Sequence, residues 1–160
     1  MARWSNIERT MRAQGARHIA GVDEVGRGPL AGPVVACAII MPPGGRAIAG
    51  VADSKQLDAD TREALAILIR ERAVAYAVAT ASVAEIDRIN ILQASLLSMA
   101  RAVAALREKP DYLLIDGKQK ITAWFLVPEG QADAGYPQQR PIVKGDRLCL
   151  SIAAASIVAK

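Results

Sequence analysis

Short apolar runs bounded by glycine and proline predict the buried strands of this chain. Residues 16–22 (ARHIAGV) and 34–41 (VVACAIIM) are two such runs, and residues 112–115 (YLLI) are a third. Residues 74–80 alternate larger side chains with alanine, and this period of two favours a further strand. Residues 121–127 (ITAWFLV) are a weaker candidate. The first two runs are expected to be neighbours in one sheet.

Amphipathic helices are predicted between these strands, where capping patterns precede apolar residues spaced three or four positions apart. The pairs that fit are Asp60 with Glu63, Ser82 with Glu85, and Asn90 with Gln93. The last pair opens a helix with one apolar face, which Pro110 ends. Residues 148–159 are apolar and rich in small side chains, as expected of a helix packed closely against a sheet. Residues 128–141, rich in glycine, proline and glutamine, predict a loop.

Strands that alternate with helices predict an α/β fold, and the first pair of strands makes its central sheet mixed. A length of 160 residues fits one domain. The chain ends at Lys160 directly after an apolar run, without the usual helix-ending residues. We therefore expect residues 1–160 to form a single domain truncated at its C-terminus.

Composition narrows the choice of protein class only slightly. Lys and Arg number 20 against 16 Asp and Glu, and this net charge of +4 suits a polyanionic partner without requiring one. Residues 28–45, the longest uncharged stretch, contain four prolines and cannot form an unbroken membrane-spanning helix. Residues 1–15 lack the apolar stretch of a secretory signal. We expect a cytoplasmic protein with no membrane partner.

The cysteines and the histidine do not suggest a soft-metal site. Cys37 and Cys149 lie far apart in apolar runs and are expected to be core thiols. His18 is the single histidine, which excludes sites that need two histidine ligands.

Residues 21–35 (GVDEVGRGPLAGPVV) contain the densest chemical signal, because Asp23 and Glu24 are adjacent in an apolar strand. Burying two carboxylates is costly unless a cation compensates them. Side chains alternate faces along a strand, so the two can serve one point only through a bulge or through a main-chain carbonyl.

The same segment also fits the G-x-G-x-x-A pattern of a dinucleotide-binding site, with Gly26, Gly28 and Ala31. That site requires a helix after the glycines. Prolines and a β-branched run follow instead, which makes this alternative unfavourable.

Five segments resemble, in order, the signature blocks of ribonuclease HII, the type 2 ribonuclease H family. They are residues 21–35, 53–57 (DSKQL), 86–99 (IDRINILQASLLSM), 113–118 (LLIDGK) and 143–160 (VKGDRLCLSIAAASIVAK). The resemblance implies a ribonuclease H-like α/β fold. It also implies an endoribonuclease that cuts the RNA strand of RNA/DNA hybrids and single ribonucleotides embedded in duplex DNA.

The resemblance assigns four acidic residues as catalytic residues and metal ligands, namely Asp23, Glu24, Asp116 and Asp146. Four converging carboxylates repel one another unless divalent cations neutralise them, and oxygen ligands suit Mg²⁺ or Mn²⁺. Two such ions about 4 Å apart can activate a water and stabilise the departing 3′ oxygen. Taken alone, Asp116 could be a turn residue and Asp146 a helix N-cap.

Substrate contacts are implied at two further places. The turn Gly26-Arg27-Gly28 resembles the family element that recognises the ribonucleotide, where glycine lets main-chain groups approach the 2′-OH. Arg27, Lys55 and Lys144 are expected to contact phosphates, although each could equally be an ordinary surface residue.

One departure from the family leaves two functions open. Typical members continue past AASIVAK with another helix and a loop whose tyrosine stacks at the RNA–DNA junction, and these 160 residues contain neither. Tyr136 precedes Asp146 and is no substitute. The chain is expected to be a monomeric endoribonuclease, or alternatively a hybrid-binding fragment with little turnover.

Overall fold

The computed structural model describes residues 6–26, 32–43, 58–121 and 137–160. Its helices are α1 (Asn6–Ala13), α2 (Ala59–Arg72), α3 (Val83–Ile89), α4 (Ile91–Ala105), α5 (Gly145–Leu148) and α6 (Leu150–Ala159). Its strands are β1 (Ile19–Val25), β2 (Val34–Ile40), β3 (Ala75–Ala81), β4 (Tyr112–Asp116) and β5 (Gln138–Ile142). No helix in these ranges is long and apolar enough to cross a membrane.

The strands form one mixed sheet in the order β3-β2-β1-β4-β5. The first three strands in the chain pair antiparallel, whereas β4 lies parallel to β1 and β5 lies parallel to β4. The predicted α/β architecture with a mixed sheet is confirmed.

Helices cover both faces of the sheet. One face packs on α4, where Val22, Ile115 and Met99 belong to one buried cluster. The opposite face packs on α2 and α6, where Ile39 and Ile69 belong to a second buried cluster. Neighbouring residues of β1 therefore belong to different cores, because side chains alternate along a strand.

Helix α6 lies unusually close to β1. A Cβ atom at Gly21 would overlap the backbone of Ser151 and Ile152, so only glycine allows this approach. The prediction of a helix packed closely against the sheet is confirmed, although Cys149 adopts an extended conformation and separates α5 from α6.

Two of the three predicted caps are confirmed. Ser82 and Glu85 form a reciprocal capping box, and Asn90 Oδ1 accepts a hydrogen bond from the N–H of Gln93 at 3.0 Å. The cap predicted from Asp60 and Glu63 is wrong. Asp58 is the N-cap of α2 and accepts from the N–H of Thr61 at 2.7 Å, so Asp60 lies in the first turn.

The predicted loop at 128–141 is wrong at its C-terminal end, because residues from Gln138 onward form β5. Its backbone pairs with β4, a contact distant in sequence that overrides the local preference for a loop. Pro141 is tolerated because β5 is an edge strand within the described residues. The first run forms a strand only from Ile19 onward, and residues 122–127 of the weaker strand candidate lie outside the described residues.

Candidate functional site

Asp116 lies at the carboxyl end of β4, and Asp23 lies two residues before the carboxyl end of the adjacent parallel strand β1. The β1–β4 register pairs Ile19 with Tyr112 and Val22 with Ile115. The same offset, carried one residue further, sets Asp23 opposite Asp116. Because the two residues hold equivalent positions on paired strands, their side chains lie on the same face of the sheet.

Asp23 is buried, with 6% of its surface exposed. Its Oδ1 accepts a hydrogen bond from the N–H of Glu24 at 2.8 Å, and the Ser156 hydroxyl also hydrogen-bonds its carboxylate. Burial, followed by repulsion from Asp116 and then from Glu24, raises the pKa of Asp23 from 3.8 to about 8. None of the described groups that set this pKa is a cation.

Glu24 occupies the next position of the same regular ladder. Asp23 pairs with Cys37 and Glu24 pairs with Ala36, without a bulge between them. The two side chains therefore leave the strand on opposite faces, as their adjacency predicts. A contribution of Glu24 through its main-chain carbonyl stays a prediction.

The turn before α5 is held against the end of β4. The N–H of Gly145 donates to Asp116 Oδ1 at 2.8 Å. A Cβ at Gly145 would lie 2.5 Å from Cδ1 of Ile152, so glycine suits this contact. Asp146 follows directly and is 9% exposed. The chain thus brings Asp146 to the same strand end as Asp116.

Lys144 precedes this turn in the left-handed conformation, with a φ of 56°. It is exposed and occupies the N-cap position of α5. Asp146 lies in the first turn, so the alternative that Asp146 is the N-cap is wrong. Lys144 is exposed, and the phosphate contact assigned to it stays a prediction.

Of the predicted ribonucleotide-binding turn, only Gly26 is described. Its φ is +98°, and a Cβ there would lie 2.6 Å from the carbonyl oxygen of Pro33. Glycine is required on both counts. Arg27, Gly28 and Lys55 lie outside the described residues, so their assignments stay predictions.

A cleft of about 370 Å³ opens beside Asp116, between the end of β4 and α4. Ser95 and Lys118 contribute polar groups to its lining. Lys118 belongs to the segment 113–118 that resembles ribonuclease HII, but no role was predicted for it. Its position two residues after Asp116 could have indicated that it lies near the site. The contact of Ser156 with Asp23 was also missed; a serine in an otherwise apolar stretch was the only hint.

The described residues contain no group of three His, Cys, Asp or Glu side chains close enough to hold a metal ion by themselves. They do contain a buried carboxyl, Asp23, repelled by Asp116 and Glu24. Carboxyl oxygens that repel one another fit a divalent cation such as Mg²⁺ or Mn²⁺ better than zinc.

A family model described as Ribonuclease HII matches residues 20–160. The chain belongs to the ribonuclease HII family. Ribonuclease HII of Myxococcus xanthus (strain DK1622) is 52% identical over 161 residues, which cover 100% of this chain and 50% of that protein. The chain therefore spans about half the length of this relative.

Solved structures agree with this ribonuclease HII assignment. Ribonuclease H2 from Pyrococcus horikoshii OT3 matches with a TM-score of 0.72 and 29% identity, over 89% of this chain and 70% of that chain. Bst-RNase HIII in complex with Mn²⁺ matches with a TM-score of 0.66 and 26% identity, over 91% of this chain and 51% of that chain. The predicted ribonuclease H-like fold is confirmed.

Proposed function

We propose that this chain is a metal-dependent endoribonuclease that cleaves the RNA strand of RNA/DNA hybrids. The observation that supports this most directly is the pair of facing carboxyls, Asp23 and Asp116, at the ends of parallel strands. Placing a buried carboxyl beside another acidic group lowers stability unless a cation joins them. Family membership supplies the class of substrate.

In this proposal Asp23, Glu24, Asp116 and Asp146 are the catalytic ligands of Mn²⁺ or Mg²⁺. The divalent ions, when bound, would activate a water and stabilise the charge of the departing 3′ oxygen. The chain's own groups orient the ligands. The N–H of Glu24 fixes one oxygen of Asp23, and the N–H of Gly145 fixes one oxygen of Asp116. The Mn²⁺ bound by Bst-RNase HIII is consistent with this choice of metal.

We infer further that single ribonucleotides embedded in duplex DNA are substrates. The turn Gly26-Arg27-Gly28 would then meet the 2′-OH through main-chain groups. The positive φ and close packing of Gly26 support this role, because they keep a side chain out of that position. Lys55 and Lys144 are assigned to phosphate contacts, which position the duplex without reading its bases.

The proposal is tested with a labelled RNA/DNA hybrid and with a DNA duplex that contains one ribonucleotide. Cleavage is expected with Mn²⁺ or Mg²⁺, to vanish with a chelator, and not to return with zinc. Asp23→Asn and Asp116→Asn should each lower turnover by orders of magnitude. Asp87→Asn, at an exposed carboxyl on α3, is the matched control and should keep wild-type turnover.

Full activity in the chelator would overturn the metal-dependent mechanism. Tight hybrid binding without cleavage, in either metal, would favour the alternative of a hybrid-binding chain. Near-wild-type turnover of Asp116→Asn would remove that residue from the ligand set.

A further inference from the structure

Ser156 is a buried polar residue within the most apolar helix of the described chain. Only 3% of its surface is exposed, and every residue of α6 is buried. Its hydroxyl is close enough to the Asp23 carboxylate to lower the pKa of that group through a hydrogen bond. A buried hydroxyl needs such a partner, because leaving it without one costs about 1–3 kcal/mol.

The contact depends on how α6 lies along β1. The two backbones meet where Gly21 faces Ser151 and Ile152. From Gly21 to Asp23 the strand rises by roughly 6.6 Å. From Ser151 or Ile152 to Ser156 the helix rises by roughly 6–7.5 Å. Asp23 on β1 and Ser156 on α6 therefore lie at about the same height along the contact between the two elements.

The start of α6 is fixed separately by α1. The N–H and the hydroxyl of Ser151 both donate to Glu8 Oε1, at 2.9 and 2.6 Å. Glu8 is 6% exposed. This carboxylate lies at the positive end of the helix, where negative charge is favourable. The Gly21 contact and the bond from the Ser151 N–H to Glu8, neither of which needs the Ser151 hydroxyl, together determine the height of Ser156 on β1.

We propose that Ser156 is a positioning residue that holds the Asp23 carboxylate in the orientation needed to share a divalent cation with Asp116. Asp23 then has one oxygen held by the main chain of β1 and a second contact from α6. Ser156 itself is not assigned a contact with metal or substrate. The inference rests on the proposed function, since it takes Asp23 to be a metal ligand.

The experiment compares Ser156→Ala with Ser151→Ala, which removes a buried hydroxyl from the same helix but not from the site. Calorimetry measures Mn²⁺ binding without nucleic acid, and thermal unfolding is followed in the metal-free protein. Ser156→Ala should weaken Mn²⁺ binding about 10-fold or more, in the range found when hydrogen bonds to metal ligands are removed. Its thermal midpoint in the metal-free protein should fall no further than that of Ser151→Ala, since each variant loses one hydroxyl contact to a buried carboxyl.

Ser151→Ala should lower the thermal midpoint to a similar degree but leave Mn²⁺ affinity within about twofold, because its partner is Glu8. In cleavage assays Ser156→Ala should lower kcat and leave KM for the hybrid unchanged. Wild-type Mn²⁺ affinity in Ser156→Ala, or an equal loss in both variants, would overturn the positioning role alone. A wild-type chain that binds no Mn²⁺ would overturn the proposed function, and this inference with it.

Discussion

Asp23 is the residue at which folding and the candidate chemistry make opposite demands. Its folded pKa, about 8, lies above its ordinary value of 3.8. The folded metal-free chain therefore binds this proton more tightly than the unfolded chain does. The stabilisation from protonated Asp23 is complete below about pH 4 and is lost as the pH rises toward 8.

We accordingly expect the thermal midpoint of the metal-free chain to fall between about pH 5 and pH 8, and Asp23→Asn to flatten this dependence. The thiols of Cys37 and Cys149 do not interfere, because burial raises the pKa of each to about 12. Glu85 does not interfere either, since Arg101 lowers its pKa to about 2. Unfolding in a chelator, at several pH values, measures the effect. Equal slopes for the two proteins would contradict it.

At the scale of elements, local sequence patterns predicted features that local contacts determine. The Ser82 cap is confirmed because both partners lie within one helical turn. Asp58 was missed as the N-cap of α2, since it is followed three residues later by Thr61, whereas Asp60 is followed by Glu63 and fits the capping pattern. β5 was missed because its pairing with β4 defines it more than any alternation of its own side chains.

The candidate site was predictable only in part for the same reason. The adjacency of Asp23 and Glu24 is visible in the sequence, and so is their placement on opposite faces. The facing of Asp23 and Asp116 depends on strand register between distant segments, which no local pattern reports. Family resemblance grouped the four carboxylates, whereas the hydrogen bond from Ser156 depends on the packing of α6 and was not foreseen.

The packing of α6 on β1 makes Gly21 the most demanding position between these two elements. In Gly21→Ala the added methyl overlaps the backbone of Ser151 and Ile152, which cannot move as a side chain can. We expect a loss of about 3 kcal/mol or more in the free energy of unfolding, measured by denaturant titration. Gly32→Ala is the control, because no atom of the described residues lies within 4 Å of its Cβ position, and it should change stability by less than about 0.5 kcal/mol. Similar stability of both variants would show that α6 is free to shift.

At the scale of the whole molecule, the candidate ligands come from segments far apart in the chain. Asp23 lies near the end of β1, Asp116 ends β4, and Asp146 lies in α5. A cation held among them would bind only the folded arrangement, because the unfolded chain does not bring them together. Metal binding and folding stability should therefore be linked.

This linkage predicts that Mn²⁺ stabilises the chain in the absence of nucleic acid. At a free concentration 100 times its Kd, a ligand specific for the folded state adds about 2.7 kcal/mol. For a chain of this size that amounts to a rise of roughly 5–10 °C in the thermal midpoint. Asp116→Asn should lose most of the rise while folding normally without metal, and Asp87→Asn should keep it. An equal rise in Asp116→Asn and wild type would place the stabilising ion elsewhere, because removing a true ligand must reduce the affinity that produces the shift.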